Sequence, residues 1–557
     1  MKILVEGISY PIEELLTIFE DPKFYSQNGL EAKITSVGYY HSFEKNSLVF
    51  MLPKVIMRDG IQTVFGCSVG ELYDLTGEFS VKHKVQFNWI RQLSVYFYKS
   101  LVEFRKRHNE TSIIHSTKTF DFNTNLADKE YSFLDLLLSF INFYKKNKQQ
   151  ILYRHIEHVS NQIKKPQWEK AVRKSLPIMA NDIPIYLQIT NRKKIINTEE
   201  QLLTYFFSIL NRLNNDHSLN LKIDKSFTII KGQQFERLCE NGTAKLKKIK
   251  YRYFNDILKK MYLLCELYFS QFDKSGIRKR KEDFLAVNNY NVVFEDMVDK
   301  LFSDDLSAVE INGLTIEKLK HNDDGKIIDH IYDYRSLVDT SNIFYIGDSK
   351  YYKSDSQAGK VSKYKQFTYA KNIIQYNIDL LNDNRRYTGN MRYRDKMTEG
   401  YNITPNFFVY GHVDHINDYE SHLITEKADI ASSHHFKDRL FDRDTLFVHQ
   451  YKINFLYVLK SYSTFDNSKI ATFRKKVKET FRDNFLEFFN NKSLCEFEFF
   501  ESSVSREDYK MLVEQNFKIM NGKCYCTVDE RLILAKHITD SSLDFLMDSF
   551  AKTLKLE

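Results

Sequence analysis

The 557-residue sequence is poor in proline and glycine, with 7 and 18 residues respectively. Average usage would give about 28 prolines and about 39 glycines. This scarcity excludes a collagen-like chain, a Gly/Pro-rich linker protein and a chain of many tight hairpins. An AT-rich genome also favours such a composition, so we take it as a class marker only. Aromatic residues make up 15% of the chain, enough ring area for large cores, which excludes global disorder.

Cysteine and long apolar runs are also scarce. Of six cysteines, only Cys524 and Cys526 are close in sequence, and a structural zinc site usually needs a second such pair. Free thiols fit a reducing compartment. The N-terminus lacks the apolar core of a signal peptide, and the apolar run at residues 133–143 is too short to span a bilayer. We therefore expect a soluble cytoplasmic protein with no membrane partner.

The net charge is small, at +8, but it is concentrated. Residues 243–281 hold 12 Lys and Arg against 3 Asp and Glu, a net charge of +9. One basic block on a near-neutral chain favours a polyanion such as nucleic acid. A solvated, lysine-rich helix face explains the same pattern, and charge alone leaves both interpretations open.

Periodicity divides the chain into four parts and predicts a multidomain α+β protein. We expect a β-rich N-terminal domain over residues 1–85, with strands near 34–43 and 47–57, the latter interrupted by Pro53. A helical domain is expected over 86–285, ending in the basic block and a polar linker at 273–284. An α/β core follows over 286–400. A mixed α/β region over 401–557 completes or flanks that core.

The part from 289 to 378 carries the candidate chemistry. Its pattern predicts a helix, three strands with an Asp-Gly turn after the first, and a second helix. The second strand (326–336) contains Asp329, and the third (342–352) contains Asp348 and Lys350. Neighbouring strands can bring the two carboxylates together, where they repel each other unless a cation lies between them. Mg²⁺ is the expected ion and Mn²⁺ the second choice.

Three further residues can reach the same place. Glu295, on the leading helix, offers a third carboxylate, and Gln366 and Tyr369 share one face of the following helix. Each residue has an ordinary alternative, because a D-x-K triplet occurs by chance and Glu295 also suits a helix dipole. The order of the elements that carry them favours the catalytic interpretation.

The segment resembles the core of the PD-(D/E)XK nuclease superfamily, in the restriction-endonuclease style. Asp329, Asp348 and Lys350 match its acid, acid and lysine, and Ile328 replaces its proline. Glu295 matches the acid of many leading helices, and Gln366 and Tyr369 resemble the Gln/Tyr helix motif of the RecB-like branch. The resemblance implies a restriction-endonuclease-like α/β nuclease core. Its metal ligands would be Asp329, Asp348, Glu295 and the backbone carbonyl of Ser349.

A narrower resemblance covers other segments. VGYYH (37–41) and LVFMLPKVIM (48–57) are similar to the front of McrC-like restriction subunits. GDSKYY (347–352) and KYKQFTYAKNI (363–373) are similar to the LlaJI-type branch. The resemblance implies a bacterial restriction or phage-defence system, in which a McrB-like AAA+ GTPase works with the nuclease subunit. The chain has no G-x-x-x-x-G-K-[ST] motif, so a motor would be a separate protein.

We therefore expect a Mg²⁺-dependent endonuclease acting on double-stranded DNA. The expected phosphate contacts are Lys245, Lys247, Lys248, Lys250, Arg252, Arg278, Lys279, Arg280 and Lys281. A catalytically weak DNA-binding or scaffold subunit that activates a motor remains an alternative, as does a stand-alone repair or RNA-directed nuclease. One active site cuts one strand, so duplex cleavage requires a homo- or hetero-oligomer with at least two sites.

Overall fold

The computed structural model shows a mixed α/β, multidomain protein built from several small sheets and helices. The structure describes residues 2–57, 63–64, 66–73, 84–108, 114–116, 132–196, 201–217, 221–223, 227–253, 255–272, 281–303, 310–311, 314–315, 320, 328–351, 365–374, 391–415, 418–421, 429–436, 438–464, 467–550 and 552–557. Among these residues, no helix combines the length and the apolarity that crossing a membrane requires.

The N-terminal sheet has five strands. Their spatial order is Lys2–Val5, Ser47–Leu52, Ser36–Ser42, Glu282–Asn288 and Ile114–Ser116. The first two strands are parallel, and the other neighbours are antiparallel. The two predicted strands are thus confirmed. Pro53, however, follows the second strand and caps the short 3₁₀ turn Lys54–Ile56, because proline cannot donate to the ladder.

A smaller sheet packs on this one. Its strands are Ser9–Pro11, Glu31–Ile34 and Tyr25–Asn28, the middle strand pairing with both others. The two sheets share a hydrophobic core. The remaining short elements here are the helices Ile12–Leu16 and Val69–Tyr73, the 3₁₀ turn Pro22–Phe24, and the paired strands Thr63–Val64 and Cys67–Ser68.

Strand Glu282–Asn288 corrects the expected polar linker at 273–284. Residues 282–284 belong to this strand, which pairs along its whole length with Ser36–Ser42. The pairing is non-local, so the polar composition alone did not reveal it. Residues 273–280 lie outside the described residues.

The helical prediction for the middle of the chain holds for five helices. They are Lys84–Arg107, Phe133–Leu152, Gln201–Asp216, Gln233–Ile249 and Asp256–Phe269, the fourth being followed by the 3₁₀ turn Lys250–Arg252. Their buried residues recur at helical spacing, as in Phe235, Leu238, Gly242, Leu246 and Ile249, so one face of each helix enters the core.

A β-rich insertion interrupts this helical region. Tyr153–Ser160 pairs antiparallel with Ile189–Ile196 over eight residue pairs, and Ile178–Ala180 pairs with Ile183–Ile185. The short helix Trp168–Lys174 lies between them in sequence. The helical prediction for 86–285 was wrong at Tyr153–Ser160, because the partner strand Ile189–Ile196, 29 to 43 residues away in sequence, satisfies the backbone groups instead.

The central sheet, as we call the second five-stranded sheet, carries the candidate site. Its spatial order is His330–Arg335, Asn342–Lys350, Pro405–His412, Leu446–Asn454 and Asp429–His434. The outer pairs are antiparallel and the inner pairs parallel. Three of the five strands come after residue 400, so the last part of the chain completes this sheet. Of the first predicted strand, Leu314–Thr315 is described, paired with Glu310–Ile311, and the Asp-Gly turn lies outside the described residues.

Helices cover the central sheet. The leading helix, Tyr290–Phe302, and the long helix Asn467–Asn490 meet on one face, where Phe302 contacts Phe473 and Phe481. Phe481 in turn packs on Tyr451 of the sheet, with ring centroids 3.7 Å apart. Helix Phe455–Thr464 also packs against the leading helix. Residues 365–374 form the described part of the predicted second helix.

The chain ends in a four-stranded antiparallel C-terminal sheet. Its spatial order is Cys524–Cys526, Leu532–His537, Phe497–Glu501 and Lys552–Thr553. Helix Arg506–Met520 and the 3₁₀ segment Ser541–Phe550 complete this unit. All six cysteines are buried free thiols.

Candidate active site

Strand register brings Asp329 and Asp348 together. His330 pairs with Gly347 and Ile331 with Ile346, so continuing the register by one residue places Asp329 opposite Asp348. The sequence had predicted Asp329 in the middle of this strand. In the structure Asp329 directly precedes the strand, which begins at His330. The backbone N–H of Ser349 donates to Oδ2 of Asp329 at 3.1 Å, which fixes this carboxylate beside the neighbouring strand.

Strand alternation places Asp348 and Lys350 on the same face. Both side chains are buried, and the Lys350 ammonium donates to Oδ2 of Asp348. The same ammonium lies 5.1 Å from the centre of the Phe408 ring, on the adjacent strand. An ion pair this well buried is held in one place by its surroundings, which favours a defined geometry.

Gly347 faces the side of the sheet opposite to Asp348 and Lys350, where the Phe407 ring leaves no room for a side chain. A Cβ at this position would lie 2.1 Å from Cε2 of Phe407, a distance that no side chain tolerates. The aromatic core under the sheet therefore excludes any larger residue directly before Asp348. The glycine of the G-D-S-K sequence is explained by this close packing.

Glu295 approaches from the leading helix. Burial raises the pKa of its carboxyl to about 7; Asn291, which donates to it at 3.5 Å, opposes the rise, and the Asp348 charge adds to it. The ammonium groups of Lys350 and Lys365 lower the pKa again in part. The charges of both Asp348 and Lys350 therefore act on the pKa of Glu295.

The pKa of Asp329 is raised well above its ordinary value, first by burial and then by the charge of Asp348. A hydrogen bond with Asp348 and the charge of Glu295 raise it further. Three carboxylates around one buried lysine thus carry excess negative charge. The donor set is made of oxygen atoms, which is what Mg²⁺ prefers, so these residues fit the expected ion.

Within the described ranges, the three carboxylates are not the group of potential metal ligands whose atoms all lie within 4.8 Å of one another. Among the described residues, the trio whose potential ligand atoms all lie within 4.8 Å of one another is His435, Glu496 and His537. Asp329 and Asp348 face each other across the strand pair, and Glu295 lies on the leading helix.

Gln366 and Tyr369 occupy different environments. Gln366 is fully buried and its Nε2 donates to the carbonyl oxygen of Ile346 at 3.4 Å, two residues before Asp348 on the same strand. Its Oε1 has no hydrogen-bond partner in the described part of the chain. Tyr369 is partly buried and packs against the hydrophobic core.

A chain of polar contacts on the other face of the sheet was not expected from the sequence. Nε2 of the buried His330 lies 2.5 Å from Oγ of Ser349, and its Nδ1 lies 3.5 Å from Asp299. Lys320 approaches Asp299 at 2.5 Å. Burial lowers the pKa of His330, while Asp299 opposes that shift. These contacts anchor Ser349, the residue between Asp348 and Lys350, and only strand pairing could have revealed them.

The basic residues divide into three groups. The first five are exposed, and none of the ion pairs within the described ranges involves them: Lys245, Lys247, Lys248, Lys250 and Arg252. Lys281 is exposed but lies 3.2 Å from Glu44. Arg278, Lys279 and Arg280 lie outside the described residues.

Comparison with known proteins gives two structural alignments. No family model and no curated protein matches the chain. A chain of the half-complex refined from a tetradecameric assembly of Thermococcus gammatolerans McrB AAA+ hexamers with bound McrC aligns at a TM-score of 0.27 and 10% identity, over 87% of this chain and 98% of that one. A chain of the cryo-EM Thermococcus gammatolerans McrBC complex aligns at a TM-score of 0.19 and 11% identity, over 54% and 88%.

Proposed function

We propose that the chain is a Mg²⁺-dependent DNA endonuclease that hydrolyses phosphodiester bonds. The observation that carries this proposal is the convergence of Asp329, Asp348 and Lys350 at the paired ends of two strands, with Glu295 facing them from the leading helix. Excess buried negative charge beside one lysine is typical of a site that binds a divalent cation and a phosphate.

The residues would share the work as follows. Asp329 and Asp348, with the Ser349 carbonyl, would hold the ion, and Glu295 would complete the set directly or through a water. A bound Mg²⁺ lowers the pKa of a coordinated water and neutralises a phosphate oxygen. The Lys350 ammonium would orient the attacking water and stabilise the charge that develops on the phosphate. Gln366 would position the end of the strand through its hydrogen bond to the Ile346 carbonyl, and its unpartnered Oε1 offers one more acceptor. Tyr369 would stabilise the helix that carries Gln366 by packing against the core.

Double-stranded DNA is the proposed substrate because the exposed lysines and arginine at 245–252 are free of ion pairs in the described structure. Lys245, Lys247, Lys248, Lys250 and Arg252 would contact phosphates, and residues 278–281 would extend this surface. Such contacts position a duplex without reading its sequence, so any sequence specificity would come from elsewhere.

We further propose that the chain works in a restriction or phage-defence system with a separate AAA+ GTPase. The McrC-like segments at 37–41 and 48–57 and the absent Walker motif support this proposal. So does the β-rich insertion. Ten of the twenty exposed large hydrophobic side chains in the described part of the chain lie between Val159 and Leu187, and exposed apolar surface of this kind is typical of protein interaction sites.

The alternative is a scaffold subunit with the same fold and no cleavage activity. Plasmid cleavage separates the two functions. The purified protein is incubated with supercoiled DNA and Mg²⁺, with and without a candidate McrB-like AAA+ GTPase. We expect the wild type to cut and Lys350→Ala to lose at least about 100-fold in rate.

Lys510→Ala is the matched control, because Lys510 is exposed and its nearest acid, Glu514, is 4.0 Å away. It should cut at the wild-type rate. Equal cleavage by wild type and Lys350→Ala, or cleavage by neither protein under both conditions, would refute the nuclease proposal.

A further inference from the structure

A second group of potential metal ligands lies away from the carboxylates, where the central sheet meets the C-terminal sheet. His435 follows strand Asp429–His434, Glu496 precedes strand Phe497–Glu501, and His537 ends strand Leu532–His537. One potential ligand atom from each residue lies within 4.8 Å of the other two. Oε2 of Glu496 is 3.2 Å from Nε2 of His537 and 3.6 Å from Nε2 of His435.

We propose that His435, Glu496 and His537 form a Zn²⁺ site that fastens the edge of the central sheet to the C-terminal sheet. Two imidazoles and one carboxylate are a ligand set that suits zinc, whereas Mg²⁺ prefers oxygen ligands alone. Glu496 is 62% exposed, so solvent can supply the fourth ligand of a tetrahedral ion.

The surroundings of His537 are those of a metal ligand. Its Nδ1 lies 2.8 Å from Oγ1 of Thr539 and 3.4 Å from Oδ1 of Asp438. Metal-binding histidines usually donate their second N–H to such an oxygen. In the metal-free tautomer Nδ1 also accepts the backbone N–H of Thr539 at 3.3 Å. With zinc on Nε2 the ring proton would move to Nδ1, where Oγ1 of Thr539 or Oδ1 of Asp438 would accept it in place of that bond. The contact between Nε2 and Glu496 is then replaced by two bonds to one ion.

The backbone fixes these ligands before any ion arrives. The N–H of Ile538 donates to the carbonyl oxygen of Glu496 at 2.9 Å, and Phe497 pairs with His537 in the sheet. The Phe497 ring lies 5.0 Å from the His435 ring and 5.1 Å from the His537 ring.

Zinc retention by the full-length protein tests this proposal. The protein is stripped with a chelator, given Zn²⁺ in the presence of excess Mg²⁺ to occupy the carboxylate site, and passed through a desalting column. We expect one retained Zn²⁺ per chain and a Zn²⁺-dependent rise in Tm. Glu496→Gln and His537→Gln should bind Zn²⁺ at least about tenfold more weakly.

Two controls decide the location of the ion. Glu514→Gln removes an equally exposed carboxylate and should bind Zn²⁺ like the wild type. Asp348→Asn should also retain zinc, so the result does not depend on the nuclease proposal. No retained zinc in the wild type, equal retention by Glu496→Gln, or loss of zinc in Asp348→Asn would each overturn the assignment. Because Glu496 is exposed, its substitution does not disturb the core.

Discussion

The candidate site is defined by a charge imbalance at a few buried residues. Alternation along one strand made Asp348 and Lys350 predictable, and the neighbouring strand supplied Asp329. The contacts of Ser349 with His330 and Asp329 were not predictable, because they depend on the register between strands. Local pattern identifies which residue types converge, and pairing decides which atoms touch.

The raised pKa of Glu295 leads to a prediction about pH. In the metal-free folded protein Glu295 keeps its proton up to about pH 7, whereas in the unfolded chain it releases its proton near its ordinary pKa of 4.5. Folding then binds a proton, so this stabilisation is complete below pH 4.5 and is lost as the pH rises through 7. Glu295→Gln is always neutral and escapes the loss.

Thermal unfolding in EDTA measures this effect. Glu295→Gln should have the wild-type Tm at pH 4.5 and a Tm several degrees higher at pH 8. Glu514→Gln, an exposed control, should show no such pH-dependent difference. If the gap between Glu295→Gln and wild type is the same at both pH values, the carboxyl is not held protonated by its surroundings.

The close packing at Gly347 predicts a destabilised variant. In Gly347→Ala the new methyl group collides with Phe407, and overpacking of this kind costs about 1–3 kcal/mol. Urea unfolding should show this loss, and Phe407→Leu added to Gly347→Ala should recover part of it. Gly70→Ala, in helix Val69–Tyr73, has open space around its Cβ and should lose no stability. Wild-type stability of Gly347→Ala would contradict the described packing.

At the scale of elements, helices and locally paired strands followed from the sequence, and long-range strand pairs did not. The helical periodicity of Gln201–Asp216 and Asp256–Phe269 reflects a buried face that each helix carries in its own residues. Strands Tyr153–Ser160 and Glu282–Asn288 instead depend on partners far away in sequence. Tertiary pairing therefore overrode the local propensity at both places.

The exposed lysines of helix Gln233–Ile249 are the residues at which the proposed DNA binding is tested. Lys245 and Lys248 are exposed and three residues apart, so they share a face. The double variant Lys245→Ala/Lys248→Ala should weaken DNA binding and reduce the slope of log K against log salt by about 0.9 per lost phosphate contact. Its Tm should be unchanged.

The control makes two lysine-to-alanine substitutions at exposed positions of helix Arg506–Met520, as Lys510→Ala/Lys518→Ala. Filter binding or anisotropy over a salt series compares the two. Equal slopes for both double variants would show that the basic face is only a solvated surface, as the charge pattern alone also allowed.

At the scale of the whole molecule, the two large sheets join distant parts of the chain. The N-terminal sheet recruits residues 282–288, and the central sheet recruits three strands beyond residue 400. The domain limits at 85, 285 and 400 remain predictions about folding units, while the sheets themselves cross all three positions. Composition shows where the secondary-structure pattern of the sequence changes. The order of strands in each sheet is set by pairing between residues distant in sequence, which a short stretch of sequence does not reveal.

The most direct test of the account is Mg²⁺-dependent cleavage of duplex DNA by wild type and Asp348→Asn. The substitution removes the carboxylate charge that pairs with Lys350 and faces Asp329, and it leaves the shape of the side chain almost unchanged. We predict that wild-type cleavage rises with Mg²⁺ to a plateau, and that Asp348→Asn stays at least about 100-fold slower at every Mg²⁺ concentration. Cleavage by Asp348→Asn at the wild-type rate would contradict the account.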